Sequence, residues 1–312
     1  MRVSTNAFSN NFLYEIQNLE SQQSTLQGQA TSGLKVTLPE DNPGVMDQVL
    51  NLQTQASANT QYQSNITQVQ NSATSASDAL NSLQTLVEQA GEIATDANGV
   101  NSPTQLSTYA TQVGQLIQQA LQVANTQDAQ GNYIFAGTDN GSAPFSAATD
   151  ANGNVTGVTY NGNTSVAQSE IAPGLTVTAQ NPGENNTGSG TEGVFADSRT
   201  GADIFSHLIA LQQDLTSGNT GDISSSVGPA LTKDEDHVVG QISGNAVLQS
   251  TLESAGTVAT QNATGLDSQM SNDTSADLAT TLTQLSQTQT AYQAALESGT
   301  MVMQTSLLNY LT

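Results

Sequence analysis

Cysteine is absent from all 312 residues, which excludes disulfides, thiolate metal sites and cysteine nucleophiles. Positive charge is almost absent: 4 Lys and Arg stand against 27 Asp and Glu, a net charge of -23. A chain of that sign repels phosphate backbones and anionic lipid surfaces, so no nucleic-acid and no membrane partner is expected. No run of about 18 apolar residues occurs, and no membrane-spanning helix is predicted. The opening stretch from Met1 to Phe8 lacks the apolar core and cleavage site of a secretory signal. Proline is scarce, and with only 10% charged residues solubility rests on Gln, Asn, Ser and Thr. An apolar share of 36% still lies above the range of wholesale disorder, so a folded core is expected.

The chemistry of an enzyme is missing as well. There is no Gly-rich phosphate loop with its Lys and no Gly-x-Ser-x-Gly elbow. His207 and His237 are the only imidazoles, and neither has metal-binding spacing. His207 reads as structural, within a short amphipathic helix. The run Lys233-Asp234-Glu235-Asp236-His237 reads as a solvated, charged helix start. Asp150-Ala151-Asn152-Gly153-Asn154 imitates a calcium loop, but its glycine is misplaced and Asn161 stands where a bidentate acid is needed, so a turn is predicted. No catalytic residue, metal or cofactor is assigned.

What the chain does have is apolar residues at alternating four- and three-residue spacing, which put a seam along one side of a helix. One seam runs Phe12, Ile16, Leu19, Gln23, Leu26, Ala30; another runs from Tyr62 through Ile66, Val69, Ala73, Ala76, Leu80, Leu83, Val87, Ala90 to Ala94. Val45, Val49, Leu52 and Ala56 prefix the second, with an irregularity near Asn59. After the Asn98-Gly99 break and Pro103 the seam resumes at Leu106, Ala110, Val113, Ile117, Ala120 and Ala124. In the carboxyl half, Leu248, Leu252, Ala255, Ala259, Asn262, Leu266 form one seam and Leu278, Leu282, Leu285, Gln289, Tyr292, Leu296 another.

Between the helical halves the pattern turns to short β-rich runs. Tyr133-Ile134-Phe135 reads as a strand. Val155 to Tyr160 and Thr164 to Ile171 flank Asn161-Gly162, a two-residue hairpin signal. Leu175 to Ala179 follows Pro173-Gly174 as a further strand, and Asn181 to Gly193 reads as an exposed loop. A short helix carrying Ile204, Leu208, Leu211 and Leu215 then leads back. The predicted fold is mainly α: an elongated bundle of long coiled-coil-like helices from both termini with an inserted small β-rich domain. Its divisions are 1–44 (amino-terminal assembly helix and linker), 45–131 and 201–272 (the two halves of a helical rod), 132–200 (β-rich insert) and 273–312 (carboxyl-terminal assembly helix).

The amino-terminal helix cannot stand alone, because burying its few large side chains does not offset the entropy of ordering its backbone. Its natural partner is the carboxyl-terminal seam. Phe8, Leu13, Tyr14, Met301, Leu307 and Leu311 remain as surplus, which points to burial against neighbouring subunits. An ordinary intramolecular bundle is the plainer alternative.

Met1-Arg2-Val3-Ser4-Thr5, Thr31-Ser32-Gly33-Leu34-Lys35-Val36 with Pro39-Glu40-Asp41-Asn42-Pro43, the passage Ala124 to Gly137 with Ala143-Pro144-Phe145, and the ending from Leu278 to Leu311 resemble the flagellar hook-associated junction proteins of the FlgL type, within the flagellin-like family. Leu34 and Asn42 depart mildly from that pattern. The resemblance implies a secreted, extracellular structural subunit, exported through the flagellar type III apparatus. It implies a chaperone on the carboxyl-terminal helix and a ring of copies between the hook-side junction protein and flagellin. Its assembly interface is then expected at Phe12, Ile16, Leu19, Leu26, Leu278, Leu282, Leu285, Tyr292, Leu296, Leu307 and Leu311. A flagellin, or a secreted adhesin built on the insert, are the competing functions.

Overall fold

The long seams become long helices. The computed structural model describes the backbone of residues 2–99 and 101–311 and the side chains of residues 9–99 and 101–301. Helix α1 spans Arg2–Ser32, α2 Pro43–Ala97 and α3 Pro103–Ala124. After the strands come α4 (Ile204–Ser217), the single turn α5 (Thr220–Asp222), a π-helical turn (Ile223–Val227), α6 (Gly228–Thr274) and α7 (Leu278–Leu311). The chain divides into two compact units, residues 1–58 with 262–312 and residues 59–261.

Each helix boundary has a local cause. Gly33 adopts φ +71° just past α1 and returns its N–H to the carbonyl of Gln29. Pro43 and Pro103 open α2 and α3 in the first turn, where a missing N–H costs nothing. Ser102 and Gln105 form a reciprocal capping box at the start of α3. The π turn precedes Pro229, which has no N–H to offer Ser225; the N–H of Gly228 reaches back to Ile223 instead.

In the unit formed by residues 59–261, the α2 seam from Ile66 to Ala94 is buried throughout, as are Leu106, Ala110, Val113, Ile117, Ala120 and Ala124 of α3. Leu208, Leu211 and Leu215 bring α4 onto that core. Phe135, Phe145 and Phe195 join it from the irregular and β segments: Phe195 packs against Phe135, Phe145 and Phe205, and Phe145 also against Phe205, at centroid distances of 5.0 to 5.5 Å.

The β segments form three small sheets. Strands β1 (Phe145–Thr149) and β2 (Val155–Tyr160) pair antiparallel, as do β3 (Ser169–Ala172) and β4 (Leu175–Val177). Strand β6 (Ala196–Asp197) lies between β5 (Glu184–Asn185) and β7 (Ala202–Asp203). Ile171 of β3 packs with Ile66, Val69 and Leu252 of the helices.

Four local expectations fail. Tyr133-Ile134-Phe135 is no strand but a tight, largely buried turn with single bridges from Gln127 to Tyr133 and from Ala136 to Pro182. Asn161-Gly162 does not close a hairpin, because β2 pairs backward with β1. The turn that closes that hairpin is Asp150–Asn154, whose Asp150 carboxylate accepts from the N–H groups of Asn152 and Asn154. The loop from Asn181 to Gly193 is exposed only over residues 186–190 and at Glu192; Asn185 is fully buried and donates to the carbonyls of Ser189 and Thr191. The run from Lys233 to His237 lies within α6 rather than at a solvated start, with Asp234 and His237 buried.

Candidate assembly interface

The unit formed by residues 1–58 and 262–312 contains both ends of the chain, and its geometry starts where α1 and α6 stop. Ala276 donates its N–H to the carbonyl of Gly33 (2.8 Å), and Lys35 donates its N–H to Thr274 (2.7 Å), so the two breaks are stitched antiparallel. Lys35 Nζ also donates to the carbonyl of Asn272 (3.1 Å), a cation at the carboxyl end of α6, where the helix dipole favours it. Asp277 caps α7 by accepting from the N–H groups of Ala279 and Thr280; the Thr280 hydroxyl bond, followed by these, holds its carboxyl below the usual range.

From that stitch α1 and α7 run antiparallel. Phe12, Ile16, Leu19, Gln23, Leu26 and Ala30 all face inward, so the spacing reads this helix correctly. The inward face of α7 is Thr281, Leu285, Thr288, Tyr292, Ala295 and Gly299. The ring of Phe12 lies so close over Gly299 that no Cβ fits there. Matched antiparallel from that contact, Ile16 falls level with Ala295, Leu19 with Tyr292, Gln23 with Thr288, Leu26 with Leu285 and Ala30 with Thr281. Phe12 and Ile16 thus meet the small residues Gly299 and Ala295, while Leu19 and Leu26 meet the large Tyr292 and Leu285.

That register divides the expected interface residues. Leu285 and Tyr292 lie half-buried in the seam with Phe12, Ile16, Leu19 and Leu26. Leu278, Leu282 and Leu296 sit on the outer side of α7, between 42% and 55% exposed, and Leu13 and Tyr14 of α1 are exposed as well. Leu307 and Leu311, with Phe8, lie outside the residues whose side chains are described. The seam residues missed by the sequence reading are Thr281, Thr288, Ala295 and Gly299. Their signal is smallness at seam spacing rather than hydrophobicity.

The ionisable groups cluster elsewhere, in the unit formed by residues 59–261. His207 Nδ1 lies 2.8 Å from Asp234 Oδ2, and the hydrogen bond to that carboxylate raises the imidazole above its ordinary value despite partial burial. Asp234 also accepts from the N–H of Asp203 (3.0 Å); burial pushes its carboxyl up, partly offset by these bonds. His237 Nε2 contacts the carbonyl of Gly193 at 2.7 Å. Burial, with the Asp203 charge as a lesser cause, pushes Glu184 up to about 7. Arg199 forks onto Asp197 and, through that hydrogen bond first, takes its carboxyl down to about 2. These contacts tie the β segments to α4 and α6. Among the described residues no group of three or more metal-ligating side chains forms, and no helix is long and apolar enough to cross a membrane.

Residues 3–140 match the family profile described as the bacterial flagellin N-terminal helical region. The chain is 30% identical over 150 residues to flagellar hook-associated protein 3 of Salmonella typhimurium, covering 48% of this chain and 47% of that one. It is 31% identical over 147 residues to the Escherichia coli protein of the same name, at 47% and 46% coverage. The chain thus spans about half the length of the curated relatives it matches. In fold it is similar to FlgL of Bacillus cereus (TM-score 0.57, 17% identity, 71% of this chain and 99% of that one). It is likewise similar to flagellar hook-associated protein 3 of Legionella pneumophila (TM-score 0.61, 14% identity, 72% and 98%).

Proposed function

We propose, from the premise that this chain carries a flagellin-type amino-terminal region and resembles flagellar hook-associated protein 3, that it is a structural subunit of the bacterial flagellum which forms the junction layer between hook and filament. It leaves the cell unfolded through the flagellar type III apparatus, guarded by a chaperone on its carboxyl-terminal helix. Copies of it then form a ring in contact with the hook-side junction protein on one side and flagellin on the other. On this reading residues 1–44 and 273–312 assemble, 45–131 and 201–272 form the rod, and 132–200 decorate it.

The observation that carries the reading is the division of apolar residues on α7. Leu285 and Tyr292 are spent on α1, while Leu278, Leu282 and Leu296 face outward. An outward leucine stripe on a helix that already has a partner supports a second partner from a neighbouring chain.

Two substitutions separate the roles. Leu296→Asp leaves the α1–α7 pair folded yet blocks incorporation into flagella, whereas Leu285→Asp disrupts the pair itself. Incorporation of Leu296→Asp at the wild-type level would overturn the proposal. A filament subunit is the rival that the flagellin-type region leaves open. Deletion of the gene discriminates: shedding of intact filament protein into the medium supports a junction role, and loss of the most abundant filament band supports the rival.

A further inference from the structure

Two polar side chains are buried in the seam that pairs α2 with α6. Asn59 on α2 is 7% exposed and donates from Nδ2 to the carbonyl of Ala259 on α6 (2.8 Å). Asn245 on α6 is also 7% exposed and donates from Nδ2 to the carbonyl of Ala73 on α2 (2.9 Å). Gln249 adds a weaker bond to the same Ala73 carbonyl (3.3 Å). The two asparagines thus do the same thing from opposite helices, and the clasps stand two heptads apart on each. Between them Ile66 and Leu252 form an apolar layer, both nearly fully buried.

We propose that Asn59 and Asn245 are the residues that fix the register of α2 against α6. The seam around them is rich in alanine and would tolerate sliding by a heptad, because apolar contacts carry little directional information. A carbonyl inside a helix can take a second donor only where the facing residue is small enough to let the asparagine reach it. Ala259 and Ala73 meet that condition. A slide of one heptad in either direction brings Asn59 opposite Leu252 or Leu266, and brings Asn245 opposite Ile66 or Leu80. Each of those side chains covers the backbone and would leave a buried amide without a partner, an arrangement that is costly in the interior. Both clasps fail together on a slide, so the penalty falls twice on every wrong register. The irregular spacing near Asn59 marks the position where the polar clasp replaces an apolar seam residue. The inference rests on the helix pair alone and stands whether or not the chain is a flagellar subunit.

The test reads register directly. Because the chain has no cysteine, Gln63→Cys and Thr257→Cys, which line the groove between the two helices, provide the only sites for a pair of nitroxide labels. Double electron–electron resonance on the otherwise native chain should give one distance population. With Asn59→Leu and Asn245→Leu added, a second population should appear, from a slide of about 10 Å along the axis, seven residues at 1.5 Å each. One unchanged population in that variant would overturn the proposal. Should the leucine variant fail to fold by circular dichroism, the exchanged chain decides. Asn59→Ala with Ala259→Asn, and Asn245→Ala with Ala73→Asn, returns each clasp from the opposite helix. It must give a single population, and two populations there would sink the proposal.

Discussion

Gly299→Ala tests the α1–α7 packing through the sign of its effect. In an exposed helix interior, alanine in place of glycine stabilises by about 1 kcal/mol, since glycine carries the larger entropic cost. At Gly299 an added Cβ would meet Cε1 and Cε2 of Phe12 at 2.7 and 2.8 Å, with Cζ nearer still. Overpacking of that kind costs about 1–3 kcal/mol, because the ring must swing out or the helices must part. The net expectation is destabilisation by about 0–2 kcal/mol in the native background. Truncating the ring with Phe12→Ala removes the obstruction, so Gly299→Ala should then stabilise by about 1 kcal/mol. The coupling between the two substitutions is thus about 1–3 kcal/mol, within the range seen for residues in contact. Amide hydrogen exchange along α1 and α7 reads the local opening equilibrium that both changes address. Slower exchange in Gly299→Ala with Phe12 intact would refute the packing described here.

Three further outcomes follow from the geometry. Asp277→Ala removes the cap of α7 and should loosen its first turn, seen as faster exchange of the amides of Ala279 and Thr280. Phe195→Ala empties a fully buried ring site between Phe135, Phe145 and Phe205 and should cost about 3–5 kcal/mol in thermal or urea unfolding. The pH response of the same unit should favour acid. Glu184 rises from 4.5 to about 7 on folding, so the folded state holds its proton more tightly than the unfolded chain does. That contribution is full below about pH 4.5 and is lost as pH rises through about 7. His207 shifts in the same direction, its stabilisation present below 6.5 and lost above its raised folded value. Melting temperature should therefore fall from pH 5 to pH 8, and Glu184→Gln should flatten the slope; an unchanged slope contradicts the assignment.

The helices were legible in the sequence because their seams follow one physical rule: the α3 seam and the α2 seam from Ile66 to Ala94 are buried, while Val45, Ala56 and Tyr62, nearer the start of α2, are half-buried. The seam of α1 was legible for the same reason. That of α7 was read half correctly. Leucine spacing picked out Leu278, Leu282 and Leu296, but the face that packs on α1 joins Leu285 and Tyr292 with Thr281, Thr288, Ala295 and Gly299, the last two small where Phe12 and Ile16 supply the bulk. Hydrophobicity finds large residues, and close helix packing also needs small ones. The β segments were harder. The Asn161-Gly162 signal is local, whereas the pairing of β2 with β1 is decided by Asp150 taking two backbone N–H groups across the loop. Charge misled in the run from Lys233 to His237, because Asp234 is satisfied by His207 and the Asp203 N–H, partners distant in sequence.

Where the protein sits on an intact flagellum tests the central claim most directly. An epitope inserted in the exposed turn at residues 151–153, labelled with gold and imaged by electron microscopy, should mark a single narrow band where hook meets filament. Label spread along the whole filament, or none on the flagellum while the protein is abundant elsewhere, would contradict it.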